Sequence, residues 1–167
     1  MRRTVLQTVV LSAALVVVAA CGGSTDPATA GLPDDATVTY AFTDSSVPPQ
    51  YHRSVTLTVT RDEAHIVIDS YGDVLADERV PTPASVWETL GSTLPALEAL
   101  TVEEPGEGCT GGTALRLTVE TPSGPSVDLD PQFCAGSNEG LEESIDGWIA
   151  PARALFPATD VLAPEGE

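Results

Sequence analysis

Residues 54 to 68 constrain the fold more than any other stretch of the chain. Val55, Leu57 and Val59 alternate with Ser54, Thr56, Thr58 and Thr60, and after Arg61-Asp62 the same period of two returns in Ala64, Ile66 and Ile68. Successive side chains of a strand point to opposite faces, so this pattern describes two strands with one dry side and one wet side. A hairpin turning at Arg61-Asp62 sets Val59 against Ala64, Leu57 against Ile66 and Val55 against Ile68, every apolar partner on one face. A slip of one residue would send all of them into water, so the pattern specifies register as well as strand.

The rest of the chain extends that sheet. Val38, Tyr40 and Phe42 alternate with threonines in a first strand after Asp34-Asp35. A three-residue loop around Gly72 brings Val74, Ala76 and Val80 back on the same face, with Glu78 pointing inward. Thr82-Pro83 reads as a helix start, threonine as N-cap and proline at the first helical position. Trp87, Leu90, Leu94 and Leu97 then fall on one helical stripe, which Pro95 is expected to interrupt near Thr93, leaving a short second turn through Leu100. A second hairpin has Leu115, Leu117 and Val119 inward, a turn at Pro122-Ser123-Gly124, and Val127 and Leu129 returning. Its register places Arg116 opposite Asp130 on the outer face. Ser137 or Asn138 caps a last helix whose stripe is Leu141, Ile145, Trp148, Ile149, Ala152 and Leu155, with a kink or break expected at Pro151. Strands followed by helices favour an α+β fold: a single antiparallel sheet of about six strands, in the order β-β-β-β-α-β-β-α, with helices on one face. The other face is threonine-rich and wet.

The front of the chain belongs to a different kind of signal. Arg2 and Arg3 precede an apolar run from Val9 to Ala20, which ends in Val18-Ala19-Ala20-Cys21. A basic start, an apolar middle and small residues before a cut describe a secretion signal, and the run is too short and too interrupted for a spanning helix. The segment resembles a bacterial lipoprotein signal with a V-A-A-C lipobox. That resemblance implies removal of residues 1–20, diacylation of Cys21, and a location on the extracytoplasmic face of the cell membrane, held there by the lipid. Arg2-Arg3 before Thr4-Val5-Leu6 also resembles a twin-arginine export signal, and an ordinary basic n-region accounts for it equally well. Residues 21–33, opening with Gly22-Gly23-Ser24-Thr25, read as a flexible tether, residues 34–158 as one α+β domain, and residues 159–167 as a disordered acidic tail.

Removing the signal takes two of the seven basic residues and none of the 25 acidic ones, so five face 25 and the formal charge is −20. Such a field repels phosphate backbones, which excludes nucleic acid as a partner and favours a basic one among envelope or secreted proteins. The chain contains no lysine, which removes Schiff-base, phosphate-loop and Ser-Lys chemistry. No nucleophile elbow, zinc-protease helix, dinucleotide fingerprint or calcium loop is present, so no catalytic residue, metal site or cofactor is assigned. Asp128 and Asp130 share a strand face, as carboxylates often do by chance in so acidic a chain. With Cys21 acylated, Cys109 and Cys134 are left as an even pair in an oxidising compartment and read as one disulfide.

Two places could carry recognition. His65 lies on the outer face, across from Thr58 and near Asp69, as a lone surface histidine or a pH-sensitive pair. Tyr51, His52 and Arg53, after Val47-Pro48-Pro49, lie in or beside an exposed loop and form the candidate partner-binding loop. The alternative there is an edge strand that proline guards against aggregation. The order of strands, helix, cysteine-bracketed hairpin and helix resembles small bacterial envelope lipoproteins of uncharacterised role. At the level of pattern it is also similar to protease inhibitors of the emfourin type, although no binding position is carried over. Two function classes follow: a non-enzymatic binding module at the cell envelope, and an inhibitor or regulator of a secreted protease acting through the loop Val47 to Arg53 or the loop Glu103 to Gly108. A carboxylate-based hydrolase is the third and weakest.

Overall fold

The computed structural model describes residues 31–103, 111–134, 136–138 and 140–166. In chain order the elements are β1 (Thr37–Thr43), β2 (Ser54–Val59), β3 (Glu63–Ser70), β4 (Asp73–Pro81), α1 (Ala84–Glu98), β5 (Thr113–Thr121), β6 (Gly124–Leu129), β7 (Gln132–Phe133), α2 (Leu141–Arg153) and α3 (Thr159–Leu162). The six main strands form one antiparallel sheet in the order β4-β3-β2-β1-β5-β6, and the short β7 pairs with β5. The helices pack alongside this α+β sheet.

Register explains the core. Ala64, Val59, Val38, Val119 and Val127 align in one row across five strands; Ile66, Leu57, Tyr40, Leu117 and Leu129 form the next, and Ile68, Val55, Phe42 and Leu115 a third. All of these are buried except Phe42, which packs against the core half-covered. Each such side chain contributes about 1.5–3 kcal/mol on burial. A slipped register would therefore forfeit more than the whole margin of about 5–15 kcal/mol by which a domain is stable. The β2–β3 pairing is the one the alternation predicts, residue for residue.

Around this frame the structure corrects several expectations. Between β3 and β4 the turn has two residues, Tyr71 and Gly72, both at positive φ, the backbone that a tight hairpin linking right-twisted strands requires. A bulge then restores the parity. Ile68 faces Ala76 but Asp69 faces Val74, so Ala76, Glu78 and Val80 take the expected side while Val74 turns outward. Helix α1 runs unbroken through Pro95 to Glu98, and its N-cap position is Pro83; Thr82 Oγ1 makes no cap bond. Helix α2 likewise passes Pro151 without a break. Asn138 does not cap it. Its amide instead clasps the Glu103 backbone at N–H and C=O and donates to Gln132 O, and Gly140 holds the N-cap position. On the second hairpin Arg116 pairs diagonally with Asp128, at 3.3 Å, rather than with Asp130.

The domain boundaries move outward at both ends. Leu32, expected in the tether, is 8% exposed and belongs to the core. Gly31 and Leu32 cross α1 at Gly91 so closely that a Cβ there would stand 2.5 Å from Leu32 N. At the other end the expected tail 159–167 is folded as far as residue 166. It forms α3, buries Ala163, and donates from the Gly166 N–H to Gln50 O at 3.1 Å. Burial of Ala163 and fixed backbone partners order a segment whose composition alone reads as acidic tail. Cys21, with the tether through residue 30, lies outside the described residues. Cys134 is disulfide-bonded; Cys109 also lies outside them.

Candidate functional site

The strands have two ends. At one, β1 begins, β2 turns into β3 and β5 turns into β6, and Asp34 is held there by Arg61 at 3.4 Å. At the other lie the β1–β2 loop, the Tyr71-Gly72 turn, the start of β4 and the folded C-terminal segment. That second pole carries all five exposed large hydrophobic side chains among the described residues: Tyr51, Tyr71, Val74, Leu75 and Val161.

The β1–β2 loop at this pole is fastened rather than free. Asp44 accepts the backbone N–H groups of Ser45 (2.7 Å) and Arg53 (2.9 Å), and its own N–H donates to Ser54 Oγ. Ser70 Oγ donates to Pro49 O, and the Tyr71 hydroxyl donates to Val47 O at 2.6 Å. His52 is 3% exposed. Its ring stacks on Tyr71 with centroids 3.9 Å apart, and its Nδ1 accepts the Tyr71 N–H at 3.4 Å. The expected partner-binding trio therefore splits. Tyr51 is open to solvent, while His52 is a packing residue, because a flat ring capable of accepting a backbone N–H fills the space under the turn.

Arg53 fastens the C-terminal segment. Its Nε donates to Ala163 O (2.8 Å) and its Nη2 to Pro164 O (2.5 Å), while Nη1 donates back to His52 O (2.6 Å). Between the loop, the sheet end and this C-terminal segment, residues 163–166, which forms a strap, lies a cleft of about 500 Å³. Phe42, Val55, Tyr51 and Ala163 supply apolar lining, and Arg53, Arg153 and three carboxylates the polar part. Asp44 is committed to the backbone as described; Asp160 and Glu165 are exposed.

Arg153 reaches the cleft from the last turn of α2. It donates from Nη2 to Thr159 Oγ1 (3.1 Å), and its guanidinium carbon stands 5.9 Å from the centre of the Tyr40 ring. The Tyr40 hydroxyl donates to Asp146 Oδ1 at 2.8 Å. Burial, then the adjacent Asp146 carboxylate, holds the phenol well above its ordinary range. The remaining three described arginines all have carboxylate partners: Arg61 with Asp34, Arg79 with Glu63, and Arg116 with Asp128. Among the described residues no carboxylate lies within ion-pair distance of Arg53 or Arg153.

His65 lies where the alternation places it, across from Thr58, but its partner is Asp77 on β4, 2.8 Å from Nε2. Asp69 instead accepts the Gly72 N–H. The other candidate loop, Glu103 to Gly108, is described only at Glu103. Sequence reasoning missed Arg153, Phe42 and the strap as parts of a site, because nothing in a stripe or a tail announces which arginine will lack a carboxylate. Among the described residues no helix is long and apolar enough to cross a membrane, and no group of three or more His, Cys, Asp or Glu is placed to hold a metal ion. Comparison with protein-family models, with curated proteins and with solved structures finds no match for this chain.

Proposed function

We propose that this protein is an extracytoplasmic lipoprotein, held by a lipid on Cys21, that acts by binding an envelope or secreted partner at the pole away from where the chain joins the sheet. One observation carries the binding reading: the exposed large apolar side chains and the cleft lie together at that pole. Scattered apolar residues are ordinary on a surface, but several at the one end of the sheet that also holds a cleft, with Tyr51 belonging to both, suit a recognition surface. The lipobox motif supports the anchor, and the strongly acidic surface favours a partner with basic groups around its apolar contact.

The inhibitor reading asks for a loop that can enter a cleft on a protease. In the segment from Val47 to Arg53 the carbonyls of Val47, Pro49, Gln50 and His52 are all bonded within the domain, which weighs against it. The binding reading is tested with a Val74→Ser, Leu75→Ser double variant, since both side chains point outward at a bulged edge. Envelope partners captured by the wild-type protein should be lost while the melting temperature holds. Unchanged capture would refute the assignment of the pole. Intact mass of the membrane fraction tests the anchor separately: loss of residues 1–20 with a gain of diacylglycerol, both abolished by Cys21→Ala.

A further inference from the structure

The cleft between Arg53 and Arg153 has a chemistry of its own. We propose that it binds a small amphiphilic carboxylate, with the apolar body over Phe42, Val55 and Ala163 and the carboxylate on Arg153. This deepens the reading of that pole as the binding surface and rests on it.

Charge distribution is the first reason. In a chain with 25 acidic residues an arginine does not lack a carboxylate for want of supply, and Arg61, Arg79 and Arg116 each have one. The two without an ion pair among the described residues are the two that line one cleft. Arg53 commits Nε, Nη1 and Nη2 to backbone carbonyls, which orient it without cancelling its charge, so its field remains in the cleft. Arg153 donates to Thr159 Oγ1 and also acts on the Tyr40 hydroxyl, whose ring centre stands 5.9 Å from its guanidinium carbon; the other donors of its fork match a planar carboxylate.

The surroundings narrow the ligand. Phe42, Val55, Tyr51 and Ala163 offer an apolar bed, and about 500 Å³ is in the ordinary range for small-molecule sites. Both oxygens of Asp44 accept backbone N–H groups, so this carboxylate is already compensated. Asp160 and Glu165 are exposed at the rim, where they disfavour a multiply charged anion such as a phosphate but leave room for a single carboxylate deeper in. A free alkyl or aryl acid has this chemistry, and so does the last residue of a peptide that ends in an apolar side chain.

The test uses exported protein carrying Cys21→Ala, which avoids detergent. Amide shifts of Val55 and Ala163 are followed on titration with octanoate, octanol and octylamine. Octanoate should shift them saturably, with octanol, the same body without charge, weaker by about tenfold or more, as expected when a charge-assisted hydrogen bond is lost. Arg153→Gln should weaken octanoate to a similar degree, Arg153→Lys should restore part of it, and Arg116→Gln should change nothing. Should Arg153→Gln fail to fold, the octanoate-to-octanol ratio carries the inference without mutation. A leucine-terminated peptide, with its end free or amidated, distinguishes the sources: binding of the free-ended peptide in preference to octanoate marks a chain terminus, and the reverse a free acid. Octylamine shifting the same amides as strongly as octanoate would overturn the ligand class while leaving the pole as a binding surface. No shift with any carboxylate, or wild-type affinity in Arg153→Gln, would overturn the inference outright.

Discussion

Replacing Gly91 by alanine should destabilise this domain even though alanine is the better helix former. In a helix interior alanine is favoured over glycine by about 0.8–1.0 kcal/mol, and by itself that would make the substitution a gain. At Gly91, however, the added Cβ would stand 2.5 Å from Leu32 N and 2.8 Å from Gly31 Cα. Both are backbone atoms, so no rotamer change relieves the clash. Relief means moving residues 31–32 outward by about 1 Å, to recover ordinary contact near 3.5–4 Å, and Leu32 leaves the core with them. Overpacking of this kind costs about 1–3 kcal/mol, with a ceiling near the burial energy of Leu32, about 1.5–3 kcal/mol. Once the propensity gain is subtracted, Gly91→Ala should lose up to about 2 kcal/mol. Gly147 in α2 supplies the control, because a Cβ there meets nothing within 4 Å; Gly147→Ala should gain about 0.8–1.0 kcal/mol. Urea denaturation followed by the fluorescence of the two buried tryptophans, Trp87 and Trp148, measures both. Leu32→Ala sharpens the test, since it should cost clearly less in the Gly91→Ala background, where the segment has already lifted. If Gly91→Ala stabilises as much as Gly147→Ala does, the crossing of residues 31–32 over α1 does not exist and the folded domain begins later than the structure places it.

Three further outcomes are expected. Tyr40→Phe keeps the ring but removes the hydrogen bond to Asp146, at a cost of about 1.5–3 kcal/mol at neutral pH. Because the folded phenol is held above the ordinary value of 10.0, the native state keeps a proton that the unfolded chain releases; stability is full below pH 10 and falls as pH rises above it, so chemical denaturation in this alkaline range should show wild type losing its advantage over Tyr40→Phe. If Cys134 pairs with Cys109, non-reducing peptide mapping should recover the two as one linked species, and reduction should cost about 3.5 kcal/mol by the loop-entropy model for a 26-residue loop. Arg53→Gln should release the C-terminal strap: the Gly166 amide, bonded to Gln50 O, should exchange faster by tenfold or more, on the scale of one lost charge-assisted hydrogen bond, while amides in β2 and β3 stay protected.

What the sequence makes legible follows the length over which a physical pattern can repeat. Six or eight residues of strict alternation suffice to set β2 against β3 in the observed register, because each added residue either agrees with one buried face or contradicts it. Pro95 and Pro151 mislead for the opposite reason. A local rule about the missing N–H and the ring predicts a break, and burial of Leu94 and Leu97 on one side, and of Trp148, Ile149 and Ala152 on the other, outweighs it. The Trp148 indole donating to Leu90 O at 3.2 Å locks the two helices together at that level.

The segments misread as tether and tail share a cause. Residues 31–33 and 163–166 are too short to show any period, and what orders them lies far away in sequence: the bare backbone of Gly91 in one case, and the guanidinium of Arg53 in the other. The strap then defines the cleft, since Ala163 and Pro164 form a wall of it and Arg53 holds their carbonyls. An arginine read as a recognition residue on a loop thus acts one step removed, by shaping the surface next to it. The side chain left to meet a ligand is Arg153, which flanks the buried stripe of α2 in its last turn and is itself half-buried. Its exposure to the cleft arises where α2 ends and the chain turns through Phe156 into α3, so the same turn that closes the fold also opens the site.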